Sequence, residues 1–327
     1  MPEVSVIIST YNRADSLRST LESFREQESD GTDYEIIVVD NNSTDETCDV
    51  VVSFGHAARQ LNVHYCFEGT QGVSYARNKG IATARGRLIA FTDDDIRPTP
   101  NWISSIRAAF DNFPNVDCIG GKVLPDSETR FPPWLTQRHW TPLALMDLGD
   151  KPLELDVQNG PGLIGANLAV RAGVFNDVGY FDPKLQRVKD SIGSMEDHEF
   201  LLRLRRADKR IMYVPSLVVH SHVFPERLTK SYHRRWHVGH GRFYAVMRAS
   251  DFEASNAKLF NVPGHLYRSA LSSLYRRVRY RLKNRPDLEF QYQTDLDFFW
   301  GFFRQRIADR RKPNSAQNKG EYKDVPG

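Results

Sequence analysis

Three adjacent carboxylates, Asp93, Asp94 and Asp95, follow the apolar run Leu88 to Phe91 in the segment FTDDDIRP. Their mutual repulsion is costly unless a cation is present, and Mg²⁺ or Mn²⁺ prefers carboxylate oxygens together with those of a diphosphate. The plainer alternative is a solvated acidic turn. Two further polar clusters each follow an apolar run: TYNR, which is Thr10 to Arg13 and includes Tyr11, and DNNSTD, which runs from Asp40 to Asp45 and includes Asn42. In MEDHEF, Glu196 and Asp197 stand side by side where a helical pattern begins. A carboxylate there can take a proton from an attacking hydroxyl, or the pair can merely complement the positive end of a helix dipole. His220 and His222 close another apolar stretch and share one side of it if the strand continues. Either is a candidate metal ligand or a hydrogen-bonded structural residue. No Ser-His-Asp or Cys-His arrangement competes with these groups, because Cys48, Cys66 and Cys118 stand in ordinary strand or helix settings.

The elements that position these groups alternate short apolar runs with helical periodicity over the first 125 residues, the pattern of βαβ units forming a mostly parallel sheet. Strands are predicted at Val4 to Ser9, Glu35 to Val39, Val63 to Phe67, Leu88 to Thr92 and Cys118 to Val123, with helices near Ser74 to Ala84 and Asn101 to Asn112. Asn12 is placed to cap a helix carrying Leu17, Leu21 and Phe24. Ser43 with Glu46 reads as a capping box before a helix whose apolar face includes Val50, Val51 and Phe54; Asp45 reads as a turn stabiliser. From about residue 125 to 162 the text is irregular and rich in Pro and Trp, including FPPW at 131 to 134, which suggests an excursion over the sheet. Regularity returns with a strand near Asn167 to Val170, a helix near Asp197 to Ala207, and strands near Ile211 to Val214 and Leu217 to His220. In an open sheet of this kind ligands gather at the carboxyl ends of strands, where TYNR, DNNSTD and TDDD fall.

Composition is that of a soluble globular protein, with 40% hydrophobic and 26% charged residues in 327. Three widely spaced cysteines fit a reducing compartment and form no zinc motif. The start MPEVSVIISTYNR lacks the pattern of a signal peptide, and no stretch of about 18 apolar residues occurs. A cytoplasmic protein without a membrane span is expected. Charge is asymmetric: 18 Lys and Arg against 30 Asp and Glu through residue 199, then 26 against 11, a balance of −12 followed by +15. A basic final third can serve nucleic acid, an anionic membrane surface or an acidic partner.

The ordered motifs VSVIISTYNR, EIIVVDNNSTDET, GVSYARNKGIATARG, FTDDDIRP, GANLAVR, VGYFDP and MEDHEFLLRL, then YVPSLVVHSH, resemble the family 2 glycosyltransferases of the GT-A fold over about residues 3 to 225. The resemblance implies an inverting, metal-dependent enzyme that moves a sugar from a nucleotide diphosphate to an acceptor hydroxyl. It implies a catalytic domain at 1–225, with a nucleotide-sugar half at 1–125 and an acceptor-side half at 126–225. Thr10, Arg13 and Asp40 are expected to line the nucleotide pocket, with Tyr11 and Asn42 in the same loops, and Arg77 and Asn78 to approach the donor. Asp95 is expected as the principal ligand of Mn²⁺ or Mg²⁺, Asp93 on ribose or metal, and Asp94 as a substitute for either. Asp197 is expected as the base with Glu196 in reserve, and His220, which matches the family best, or His222 as a further metal ligand.

Residues 226–311 read as a helical basic extension and 312–327 as a disordered tail. Leu266, Ala270, Leu274, Val278 and Leu282 recur every four residues among arginines, and FFWGFF at 298 to 303 is likewise flanked by arginines. Such faces suit an anionic membrane at its inner surface, where a glycan or lipid-linked acceptor of a surface polysaccharide or glycolipid is found. They equally suit packing on the catalytic domain or on a second subunit in a homo-oligomer. No nucleic-acid-binding motif accompanies the charge. Two other functions fit the sequence less well. A catalytically silent nucleotide-sugar-binding scaffold is at odds with the intact carboxylates, and a sugar-phosphate nucleotidyltransferase is at odds with TYNR standing where a Gly-rich phosphate loop is needed.

Overall fold

The computed structural model describes residues 1–28, 30–156, 161–185, 195–247 and 258–310; the tail expected to be disordered lies outside them. The chain divides into two compact units, Met1–Trp236 and a second that opens at His237.

In the first unit β1 (Val4–Thr10) is buried along nearly its whole length, with Val6, Ile7 and Ile8 fully covered, the mark of a central strand packed on both faces. α1 (Ala14–Ser23), β2 (Tyr34–Asp40), α2 (Thr47–Ala57), β3 (Asn62–Phe67), α3 (Val73–Thr83) and β4 (Leu88–Asp93) follow in alternation. Next come β5 (Ile96–Pro98), α4 (Trp102–Asn112), β6 (Cys118–Pro125), β7 (Leu153–Glu154), β8 (Leu168–Arg171), α5 (Val174–Val178), α6 (Glu196–Arg206) and β9 (Ile211–Ser221). Among the described residues these strands form one nine-stranded sheet in the order β3-β2-β1-β4-β8-β6-β9-β5, with β7 on β9. β3, β2, β1 and β4 are parallel, as are β6 and β9; β8, β5 and β7 run against their neighbours. The fold is α/β, a largely parallel sheet flanked by helices, as the alternation predicts. Register decides where the chemistry falls: Thr10 lies opposite Asp40, and Ser9 opposite Asp93. The ends of three adjacent parallel strands therefore coincide, and the loops that follow them meet.

Several local expectations change. Asn12 does not cap α1; it sits at φ 51° and its side chain accepts the Thr44 N–H instead. The Ala14 N–H at the start of α1 is taken by Asp45 from the neighbouring loop, and the same carboxylate accepts from the Thr47 N–H and hydroxyl at the start of α2. The capping box is absent because Ser43 is turned to the Asn12 N–H. Asp45 stabilises its turn as expected, and it also ties two loops together. The two strands predicted between Ile211 and His220 are one, irregular where its register on β6 shifts between Gly120 and Lys122. The excursion after β6 folds back onto the sheet, burying Leu135, Leu143 and Leu145 with Phe131, Trp134 and Trp140 packed against the main core.

α7 (Lys230–Met247) runs across the boundary between the units, and the second unit continues with the hairpin β10 (Lys258–Leu259) and β11 (Val262–Pro263), then α8 (Gly264–Leu282) and α9 (Pro286–Arg310). α7 and α9 approach closely at two glycines: a Cβ on Gly241 would collide with the Phe298 backbone, and one on Gly301 with the Val238 backbone. That crossing turns FFWGFF inward. Phe302 is fully buried in the cluster with Ala245, Val262 and Leu266, Phe299 and Phe303 pack against it, and Trp300 is the exposed member. The predicted every-fourth-residue face of α8 is also not a single face. A step of four overshoots a 3.6-residue turn by about 40°, so Leu266 is buried while Leu282 lies outside. No helix among the described residues is long and apolar enough to cross a membrane.

Candidate active site

The acidic triplet does not act as a unit. Asp94, in the turn after β4, is buried: Thr10 Oγ1 donates to it at 2.8 Å, Arg13 Nη1 at 2.9 Å, and its backbone oxygen accepts from Thr20. Burial pushes the Asp94 carboxyl up to about 6 against the pull of Arg13, with the charges of Asp95 and Asp93 adding to the rise. The same Arg13 Nη1 reaches Asp95 Oδ2 at 3.1 Å, and Arg227 Nη1 lies 3.8 Å from that oxygen. Burial works against the Arg13 charge, and Asp94 and Asp95 outweigh it, so the guanidinium is held still more firmly protonated. Phe224 lies between the two arginines, 5.3 Å and 5.2 Å from their guanidinium carbons. Asp93 is half-exposed and 3.6 Å from Arg77 Nη2.

Arg77 is the centre of a second cluster. It is buried on α3, with Nη1 2.5 Å from Asp197 Oδ1 and 3.3 Å from Glu196 Oε1, and its guanidinium stands over the Phe181 ring. Burial opposes its charge, and Asp197, Glu196 and Asp93 more than restore it. The Gly165 N–H donates to the other Asp197 oxygen at 3.0 Å, and a Cβ at Gly165 would meet that carboxylate and Arg77. Both Asp197 oxygens are therefore aimed by fixed donors. Glu196 is buried; Asp197 is the more exposed of the pair, at the first turn of α6. Asn78, expected near the donor, spends its amide on the Phe181 backbone in both directions at 3.0 Å, and so supports the ring beneath Arg77.

Asp40 is buried at the end of β2, accepting from the Ser43 N–H and the Tyr65 hydroxyl, each at 2.8 Å. Burial and that hydrogen bond push the Tyr65 phenol well above its ordinary range. Asn42 is exposed at φ 67° in the turn after β2, and Tyr11 is exposed in the loop after β1. His220 lies opposite Arg97 in the β5–β9 ladder. The His222 N–H donates to the Asp95 carbonyl at 3.0 Å, while its ring Nδ1 is 2.8 Å from Asp126 Oδ2. Asp126, Glu128 and His222 bring one ligand atom each within 4.8 Å of one another. Asp126 Oδ1 is already taken by the Thr129 N–H and hydroxyl, and these bonds with the one to His222 hold its carboxyl low against the effect of burial.

Several positioning residues escape the sequence reading. Asn41 is buried and its amide donates to the Glu68 and Thr70 carbonyls while accepting the Gly72 N–H, which sets the start of α3 and thus the place of Arg77. Its only signal is membership of DNNSTD, where it reads as a turn residue. Gly165 stands in the GANLAVR motif. Arg227 and Phe224 carry no local signal at all.

Two arginines, Arg77 buried and Arg13 partly so, thus stand between carboxylates beside the ends of parallel strands in an α/β fold. The model of Glycosyl transferase family 2 matches residues 5–179, more than half of the chain, and the chain belongs to that family. The glucosyl-dolichyl phosphate glucuronosyltransferase of Haloferax volcanii is 28% identical over 228 residues, 69% of this chain and 71% of that protein. Validoxylamine A glucosyltransferase of Streptomyces hygroscopicus is 39% identical over 111 residues, and the match spans only 26% of its length. Among solved structures, the mannosyltransferase PcManGT of Pyrobaculum calidifontis in complex with GDP-Man and Mn²⁺ superposes with a TM-score of 0.58 at 17% identity, over 91% of this chain and 87% of that one. S. aureus TarS 1–349 in complex with UDP gives 0.52 at 20% identity, over 95% and 91%. These likenesses establish the GT-A fold, and the protein is a glycosyltransferase.

Proposed function

We propose that the protein transfers a sugar from a nucleotide diphosphate sugar to the hydroxyl of a glycan or lipid-linked acceptor, with inversion, in the synthesis of a surface polysaccharide or glycolipid. The observation that carries this reading is Asp197, held at both oxygens by the Gly165 N–H and by Arg77, whose guanidinium also faces Asp93. A base for single displacement must be fixed in direction and within reach of the incoming hydroxyl. In that step the acceptor oxygen bonds to the anomeric carbon from the face opposite the diphosphate. The bond to the diphosphate breaks, the nucleoside diphosphate leaves, and the hydroxyl proton passes to Asp197. Thr10, Tyr11, Arg13, Asp40 and Asn42 form the nucleotide side. Arg77 orients the base and adds positive charge on the donor side.

The residues present also fit a divalent cation. Asp94 is engaged by both Thr10 and Arg13; Asp95 shares Arg13 through Oδ2, and with the half-exposed Asp93 it supplies the hard carboxylate oxygens that Mn²⁺ or Mg²⁺ prefers. Asp95 and Asp93 would hold the ion, which when bound neutralises charge on the departing diphosphate. Of the two histidines, His222 is tied to Asp95 through its backbone and oriented by Asp126, the arrangement of a ligand steadied by a second partner. The name of the Haloferax relative, which specifies a dolichyl phosphate sugar, supports a lipid phosphate-linked acceptor.

Thermal denaturation with a panel of nucleotide sugars, each with and without Mn²⁺, tests the reading. A ligand bound only by the folded state raises the melting temperature. One donor should do so strongly and only with the metal; no response to any of the panel would refute it.

A further inference from the structure

We infer that the outer face of α8 is a docking surface for an anionic lipid bilayer. Leu271, Leu274, Tyr275, Val278 and Leu282 are between 45% and 83% exposed, although α8 is paired with α9 and buries Leu266 and Ser273 on its other side. Spacings of three and four place all five within one stripe about 100° wide along the helix. Five large apolar side chains left outside in a single stripe need an occupant.

Charge identifies that occupant. α8 contains no Asp or Glu, and Arg268 and Arg279 flank the stripe on one side while Arg281 flanks it on the other. Guanidinium groups on both borders of an apolar stripe match the layering of a bilayer interface, where acyl chains lie below anionic phosphates. A second copy of this chain fits poorly, because a two-fold contact would set this face against itself and bring its arginines together without a carboxylate from α8 to pair them. The hairpin before α8 also leaves apolar side chains outside: Leu259 and Phe260 are 57% and 54% exposed, and the Leu259 carbonyl accepts from the hydroxyl of Tyr267, whose ring packs on Phe303. The aromatics of 298–303, which look more lipophilic in sequence, are mostly spent inside the helical unit.

This deepens the proposal of a lipid-linked acceptor, although the surface itself is argued from α8 alone. The full chain is sedimented with vesicles of phosphatidylcholine alone and with a third of the lipid replaced by phosphatidylglycerol, alongside Leu274→Glu/Val278→Glu and Arg279→Glu/Arg281→Glu. All four side chains are solvent-exposed, so unchanged melting curves serve as the folding control. The wild type should bind the anionic vesicles only, and each double variant should lose about tenfold or more in partitioning, each surface charge alone being worth about fivefold. Failure of the wild type to sediment, or equal binding by the variants, would overturn the inference. So would light scattering that shows a wild-type dimer which the variants split, without lipid binding. Vesicle binding by a protein that glycosylates no lipid-linked acceptor would sink the acceptor reading and uphold the surface.

Discussion

Replacing Arg77 with Met removes a buried guanidinium from the midst of Asp197 at 2.5 Å, Glu196 at 3.3 Å and Asp93 at 3.6 Å. The volume is nearly kept, so the loss is electrostatic. Breaking a buried pair by deleting one partner leaves an uncompensated charge and costs about 3–5 kcal/mol. Here two carboxylates lose their main counter-charge, which puts the expected loss in the upper part of that range. For a folded unit of this size about 2–4 °C of melting temperature accompanies each kcal/mol, so the variant should melt about 8–20 °C lower at neutral pH. The gap should narrow as pH falls toward about 4, because the orphaned carboxylates are then neutralised by protons and the missing cation matters less. Thermal melts of both proteins between pH 4 and 7.5 measure this, and Asp197→Asn placed on the Arg77→Met background should recover part of the loss. A difference under about 1 kcal/mol, or one independent of pH, would refute the view that Arg77 is the counter-ion on which this cluster rests.

Asp197→Asn keeps shape and the contact to Gly165 while removing the proton acceptor, so steady-state kinetics should show turnover about 100-fold or more lower with donor affinity nearly unchanged; Glu196→Gln should cost less. Asp95→Ala should abolish the Mn²⁺-dependent part of donor affinity in calorimetry. His198, beside the base, has its ring held below its ordinary 6.5 by burial, against the pull of Asp197. A depressed value contributes stability that is present above 6.5 and lost as pH falls through the folded value. The melting temperature of the wild type should therefore drop more than that of His198→Gln between pH 7.5 and 5.

The parallel half of the sheet was legible because each strand is a dense apolar run ended by polar residues, and the helices between them carry clear periodicity. The gathering of TYNR, DNNSTD and TDDD at one edge followed from strand ends alone. What local pattern could not supply is pairing across the chain. Asp93, Asp94 and Asp95 look equivalent in sequence; Arg13, some eighty residues earlier, pairs with Asp94 and Asp95, both buried, and leaves Asp93 half-exposed. Arg77 and Asp197 are 120 residues apart, and the glycine that aims the base comes from a third segment. Caps failed for the same reason: Asn12 and Ser43 satisfy each other's loops, which left the start of α1 to Asp45. On α8, spacing of four looked like one face because period four and period 3.6 diverge only over several turns.

The most direct test of the central claim is the anomeric configuration of the first-formed product, followed by proton NMR once an active donor is known. Single displacement with Asp197 as base predicts that an α-linked nucleotide sugar yields a β-glycoside from the first turnover. A first-formed product that keeps the configuration of the donor would contradict the account.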